Sequence, residues 1–167
     1  MSNPSPLFTL ENYQIEESIG YLLARSRAML VKSSDESLAE YGITHAQGAI
    51  LLMLSTGKYS TAADLARETY TDAASTKRMI DRLAARKLIT REPCAHDRRL
   101  MKLHLTADGV ALSKKMPKAF CGVLNKHFSD FSAEEIGFLK SMLRRLLASN
   151  NSSGSNNSSS SPTEKTH

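Results

Sequence analysis

Lys77, Arg78 and Arg82 lie close together, and Arg98 and Arg99 follow a short way downstream. Ammonium and guanidinium groups in such a run neutralise phosphate and donate hydrogen bonds to base edges; they do no covalent chemistry. The charge distribution supports this. Of the 22 Lys and Arg, 11 fall between Lys58 and Lys102, against 6 of the 17 Asp and Glu. The rest of the chain carries 11 of each, so the whole formal charge of +5 sits in this one stretch. Localised positive charge is the footprint of a surface that meets a polyanion. A basic run alone is equally a solvated face, so the elements that carry it must decide.

Catalytic constellations are missing from the sequence. His45, His96, His104 and His127 show no His-x-x-x-His spacing, and Cys94 and Cys121 no Cys-x-x-Cys, so no metal site is expected. A nucleophile elbow, a phosphate-binding glycine loop and a dinucleotide fingerprint are absent as well. The expectation is a binding protein, not an enzyme, with no cofactor.

The elements around the basic residues read as helices nearly throughout. Residues 11–41 predict one long helix with Ile15, Ile19, Leu22, Met29 and Leu30 on an inward stripe. Thr44 with Gln47 is a capping-box pattern opening a second helix through Leu54, with Gly57 beyond it. Ser60 and Thr61 open a third, short helix; Asp72 or Thr71 caps a fourth, running to about Lys87. Ile89 to Glu92 and Leu100 to Leu105 have the character of two hairpin strands. Thr106 caps a fifth helix that Pro117 should kink or interrupt, and Ser132 with Glu135 opens the last, to Leu147. On the fourth helix, turning Thr76, Met79, Ile80 and Leu83 inward leaves Ser75, Lys77, Arg78, Asp81 and Arg82 outward. Ser75, Lys77 and Arg78 are candidates for base or phosphate contact, and Arg82 for phosphate. Asp81 would repel phosphate unless Lys77 or Arg78 pairs with it one turn back.

Asp97-Arg98-Arg99 between the two strands, leading into Leu103-His104-Leu105-Thr106-Ala107-Asp108-Gly109, resembles the MarR family of bacterial transcriptional regulators. The likeness covers roughly Ile19 to Leu147. It implies a mainly α fold with a small β-hairpin wing: a winged helix-turn-helix at about 44–106, with dimerisation helices at about 11–41 and 118–147. All of this would lie in a single domain, 1–148. The fourth helix would then read the major groove of double-stranded DNA. Arg99, steadied by Asp97 and with Arg98 beside it, would reach the narrow minor groove, where negative potential is focused.

The resemblance also implies a homodimer, whose two reading heads match a pseudo-palindromic operator. Ile136, Phe138, Leu139, Met142, Leu143, Leu146 and Leu147 cover about half of the last helix, too wide an arc for one neighbouring helix. In such regulators small ligands, often aromatic acids, bind between the dimer helices and the reading head. Ser26, Ser33 and Ser37 fall within about 40° of Ile15 at about 100° per residue, hydroxyls on an otherwise apolar stripe. Arg25 flanks them and His45 opens the next helix. Arg25, Ser26, Ser33 and His45 would suit a small aromatic carboxylate. The plainer alternative is that small residues let helices pack closely. A redox sensor of this family would want a cysteine in the first helix, and residues 11–41 contain none.

The expected function is a ligand-responsive DNA-binding repressor. The alternative is a winged-helix interaction module whose basic face meets an acidic protein. An enzyme using a winged helix only to dimerise would need a further catalytic domain, for which 1–148 leaves no room. Two cysteines make no disulfide framework, no apolar run approaches the ~20 residues that span a bilayer, and the start lacks a secretory signal. The expected location is the cytoplasm, with no membrane partner. Cys121, beside Phe120, Val123 and Leu124, is expected in the core. Residues 149–167 are nearly all Ser and Asn and read as a disordered tail.

Overall fold

The computed structural model describes residues 7–94 and 100–153. Two 3-10 turns, Leu10–Asn12 and Ile15–Glu17, precede helix α1 (Ile19–Leu38), and a third, Ala39–Tyr41, follows it. Then come α2 (His45–Ser55), α3 (Ala62–Thr69), α4 (Ala73–Ala85), strands β1 (Ile89–Pro93) and β2 (Met101–Leu105), α5 (Ala107–Ser113), α6 (Met116–His127) and α7 (Ala133–Ser153). The strands pair antiparallel, Ile89 opposite Leu105 and Pro93 opposite Met101. This is the expected mainly α class with a small hairpin. Contacts divide the chain into two compact units, one ending at His127 and one beginning at Phe128. No helix among the described residues is long and apolar enough to cross a membrane.

Side-chain caps set the helix starts. Thr44 and Gln47 satisfy each other's backbone N–H groups at 3.3 and 3.0 Å, and Thr61 and Asp64 do the same at 3.1 and 3.2 Å. Ser132 and Glu135 form a third such box. Asp72 accepts from the Ser75 N–H at 2.8 Å, and Thr106 from the Gly109 N–H at 3.1 Å. Between α5 and α6 the helix is interrupted at Lys114 and Lys115, just before Pro117, which lacks an N–H to continue it.

The N-terminal segment departs from the single helix expected over 11–41. Gln14 and Ser18 are extended, and Ser18 caps α1 by accepting from the Tyr21 N–H at 3.3 Å. A helical phase counted from Ile15 therefore does not carry across Ser18. Nor is the Leu22 and Met29 row inward: both side chains are 48% exposed. The buried face of α1 instead carries Ser34 and Leu38, with Leu30 half-covered. Cys121 is likewise exposed. On α6 the covered residues Met116, Ala119, Phe120, Val123 and His127 recur at helical spacing, and Cys121 falls on the opposite side.

The core of the first unit joins α1 to the winged part through Leu38, Ile50, Leu51, Leu65, Ile80, Leu83, Leu103 and Met116. Helix packing is close at two glycines. A Cβ on Gly48 would meet Met116 Sδ at 3.0 Å, and one on Gly109 would meet the Leu88 carbonyl oxygen at 2.0 Å. The second requirement is absolute: α5 rests against the backbone that enters β1. Helix α7 continues to Ser153, past the Ser149 boundary expected from composition. Once a capping box has nucleated a helix, each further residue adds a bond cheaply. Along α7, Phe138, Met142 and Leu146 form one row, 68, 58 and 54% exposed.

Candidate nucleic-acid interface

Helices α3 and α4 are joined by a three-residue turn whose geometry is held by hydroxyls. Tyr70 ends α3 in the left-handed region at φ 50°. Thr69 Oγ1 donates to the Leu65 carbonyl at 2.7 Å and lies 2.6 Å from Thr71 Oγ1, which is 2.9 Å from Thr76 Oγ1. Thr76 is fully buried, so its hydroxyl needs this partner. The chain of three threonines therefore links the end of α3 to the first turn of α4. At the other end, the Arg86 guanidinium donates to the carbonyls of Tyr41 and Gly42. It anchors α4 to the α1–α2 connection, where Gly42 stands at φ 64°.

Helix α4 divides as expected. Thr76, Ile80 and Leu83 are buried, while Lys77, Arg78 and Arg82 are exposed. Asp72 caps the helix, and bonds from the Ser75 hydroxyl and backbone hold its carboxyl below the ordinary carboxylate range. Ser75 accepts from Arg78 Nη2 at 2.7 Å, which orients that guanidinium along the helix face. Lys77 Nζ lies 3.5 Å from Asp81, the pairing expected one turn back. Arg91 of β1 also donates to Asp81 and is the main cause of its lowered pKa. Arg78 does not take that role. Arg82 has no ion-pair partner among the described residues.

Arg91 is the residue that sequence reasoning missed. It stands ten positions from Asp81 on a different element, and no local periodicity connects them. Its effect is to tie the outer face of α4 to the hairpin and to neutralise the one acid there. The hairpin itself closes as far as Cys94, whose N–H donates to the Leu100 carbonyl at 2.8 Å. Strand β2 is further held by the Leu103 N–H, which donates to the Ser60 carbonyl at 2.7 Å. Asp97, Arg98 and Arg99 lie outside the described residues.

The four residues expected for an effector have separate surroundings. Arg25 is exposed and donates to the Tyr21 hydroxyl at 3.1 Å within α1. Ser26 is exposed, not inward. Ser33 Oγ is hydrogen-bonded to His127 Nε2 of α6 at 2.8 Å. His45 is half-buried, its ring edge-on to Phe120 at 5.5 Å, and burial pushes its pKa below the ordinary value.

Two helices held at a fixed turn, the second presenting cations, with a two-stranded hairpin beside them, define a winged helix-turn-helix protein. Residues 41–100 match the sequence profile of the MarR family. An organic hydroperoxide resistance transcriptional regulator of Bacillus subtilis is 29% identical over 140 residues, 82% of this chain and 92% of that one. S. aureus MepR, solved as a complex with DNA, is 25% identical, with a TM-score of 0.70 over 81% of this chain and 99% of that one. BpsR of Bordetella bronchiseptica, whose DNA binding is regulated by 6-hydroxynicotinic acid, is 27% identical, with a TM-score of 0.71 over 80% of this chain and 96% of that one. Over these spans the chain is similar to MarR-family winged-helix transcriptional regulators.

Proposed function

We propose that this regulator is a cytoplasmic repressor that binds a pseudo-palindromic operator as a homodimer and is released by a small aromatic carboxylate. The observation that carries DNA binding is α4: its apolar side is buried, and its outer side presents Lys77, Arg78 and Arg82. In this reading α4 enters the major groove, with Ser75, Lys77 and Arg78 at base edges or phosphate and Arg82 on phosphate. Arg98 and Arg99, which fall between β1 and β2 in the sequence, reach the minor groove. Two subunits are needed because one small head binds weakly, and the exposed apolar row of α7 supplies a surface for the second. The effector reading is supported by the regulation of BpsR by 6-hydroxynicotinic acid.

Repression and release follow from linkage. A ligand that prefers an arrangement of the reading heads unsuited to the operator shifts the population away from DNA. The test of DNA binding is a salt titration on a site selected from random duplexes. If two subunits neutralise ~6–10 phosphates, affinity should fall roughly 10³–10⁵-fold between 50 and 200 mM salt. A flat titration would favour the winged-helix interaction module, whose partner is an acidic protein.

A further inference from the structure

Among the described residues, two that are not glycine hold a left-handed backbone: Tyr70 at φ 50° and Lys87 at φ 56°. They stand where α3 and α4 end, in a conformation that glycine adopts without strain. Lys87 follows α4, where a cation meets the negative end of the helix dipole. Tyr70 has no such compensation. Its side chain is 68% exposed, so the ring buries little, and its hydroxyl makes no hydrogen bond among the described residues. The backbone is nevertheless firmly held. The Tyr70 N–H donates to the Arg67 carbonyl at 3.4 Å and the Thr71 N–H to the Ala66 carbonyl at 3.1 Å, the pair of bonds that closes a helix around a left-handed residue. On either side, the hydroxyls of Thr69 and Thr71 lie 2.6 Å apart. Backbone strain imposed by its surroundings, under a side chain that gains no burial, points to a use for that side chain outside the folded chain.

The place of Tyr70 in the fold names that use. It lies two residues ahead of Asp72, the cap of α4, at the helix end whose first residues face the bases in a helix-turn-helix. A tyrosine hydroxyl can donate to a phosphate oxygen without adding charge, and contacts of that kind fix register, not sequence. We propose that Tyr70 is a phosphate-contacting residue, its hydroxyl donating to the DNA backbone beside the groove that α4 enters. The proposal rests on the reading of α4 as the helix that meets DNA, and it adds a neutral contact from the turn to the cations of Lys77, Arg78 and Arg82. Only two side-chain angles lie between the held backbone and the ring, so ordering the tyrosine on DNA costs little entropy.

Fluorescence anisotropy of the full chain on a duplex selected from random sequence, over a salt series, tests the contact. Tyr70→Phe removes only the hydroxyl and should weaken binding about tenfold or more, the loss of a hydrogen bond to a charged acceptor. Because tyrosine is neutral, the slope of log affinity against log salt should stay that of wild type, whereas Arg82→Gln should make it shallower. Site selection repeated with Tyr70→Phe should return the same bases. Tyr70→Gly should bind DNA no better than Tyr70→Phe and yet melt about 2–4 °C above wild type, since glycine relieves the backbone. Tyr13→Phe, at a tyrosine 64% exposed ahead of α1, is the control and should bind as wild type. Wild-type affinity in Tyr70→Phe, alongside steep salt dependence in wild type, overturns the contact and leaves DNA binding standing. A Tyr70→Gly melting temperature at or below that of wild type overturns the proposal as well, because the strain is then repaid within the fold. Wild type that binds no duplex overturns both the contact and the DNA-binding reading.

Discussion

Gly109 shows how a single residue is fixed by what lies opposite it. A methyl group there would sit 2.0 Å from the Leu88 carbonyl oxygen, which itself accepts the Thr106 N–H at 3.1 Å. Neither side can yield without moving α5 off β1. Gly109→Ala should cost about 3 kcal/mol, the upper end for overpacking. Gly122 meets nothing within 4 Å on α6, and Gly122→Ala should gain roughly 0.5–1 kcal/mol from helix propensity. Urea denaturation of both variants checks the contrast; equal effects would refute the close approach. His45 makes a second residue-scale case. Burial keeps its imidazole neutral in the folded chain below its ordinary pKa of 6.5, with Asp35 opposing the shift and Arg27 adding to it. As pH falls below about 6.5 the unfolded chain takes up that proton first, so stability should decline from there through the lower folded value. Melting temperature should therefore fall more steeply from pH 7 to 5 in wild type than in His45→Gln. Parallel curves would show that another group controls that range.

At the scale of elements, the hairpin and helix α4 are coupled through one acid. Asp81 faces the side of α4 that would meet phosphate, and Lys77 and Arg91 neutralise it from α4 and β1. Pairs this exposed add little to stability, so the main consequence is for binding. Arg91→Ala should leave the melting temperature nearly unchanged yet weaken DNA binding, because Asp81 then repels phosphate with only Lys77 to offset it. Asp81→Asn in the same chain should restore much of the loss. The double-mutant cycle separates this from a direct Arg91–phosphate contact, for which Asp81→Asn would rescue nothing. The threonine chain from Thr69 to Thr76 works at the same level, setting the turn between α3 and α4.

For the whole molecule, the decisive quantity is apolar surface left open. Phe138, Met142 and Leu146 recur every fourth residue along α7, and Leu22 and Met29 share a face of α1. Monomeric proteins seldom expose contiguous apolar rows of this kind. If the chain is the homodimer proposed above, with two heads on one pseudo-palindromic site, Met142→Glu combined with Leu146→Glu should convert the dimer to a monomer in sedimentation and strip most operator affinity. A dimer that persists would remove α7 from the interface.

Local chemistry made much of this fold legible in the chain itself. Thr44 with Gln47, Asp72, Thr106, and Ser132 with Glu135 are signals spanning about one helical turn, and each caps a helix where expected. The period of Thr76, Ile80 and Leu83 likewise turned the basic side of α4 outward. Long-range contacts were beyond that reach. Periodicity shows that a stripe exists but not what covers it, so Leu22 and Met29 were expected inward and Cys121 in the core. Gly109 stood in the sequence as one residue of a motif; only the Leu88 carbonyl shows why it must be glycine. The Arg91–Asp81 pair brings together residues from separate elements. Capping and helical phase act over three or four residues and are written in the chain. Pairing across elements depends on how those elements pack, and tertiary structure alone decides it.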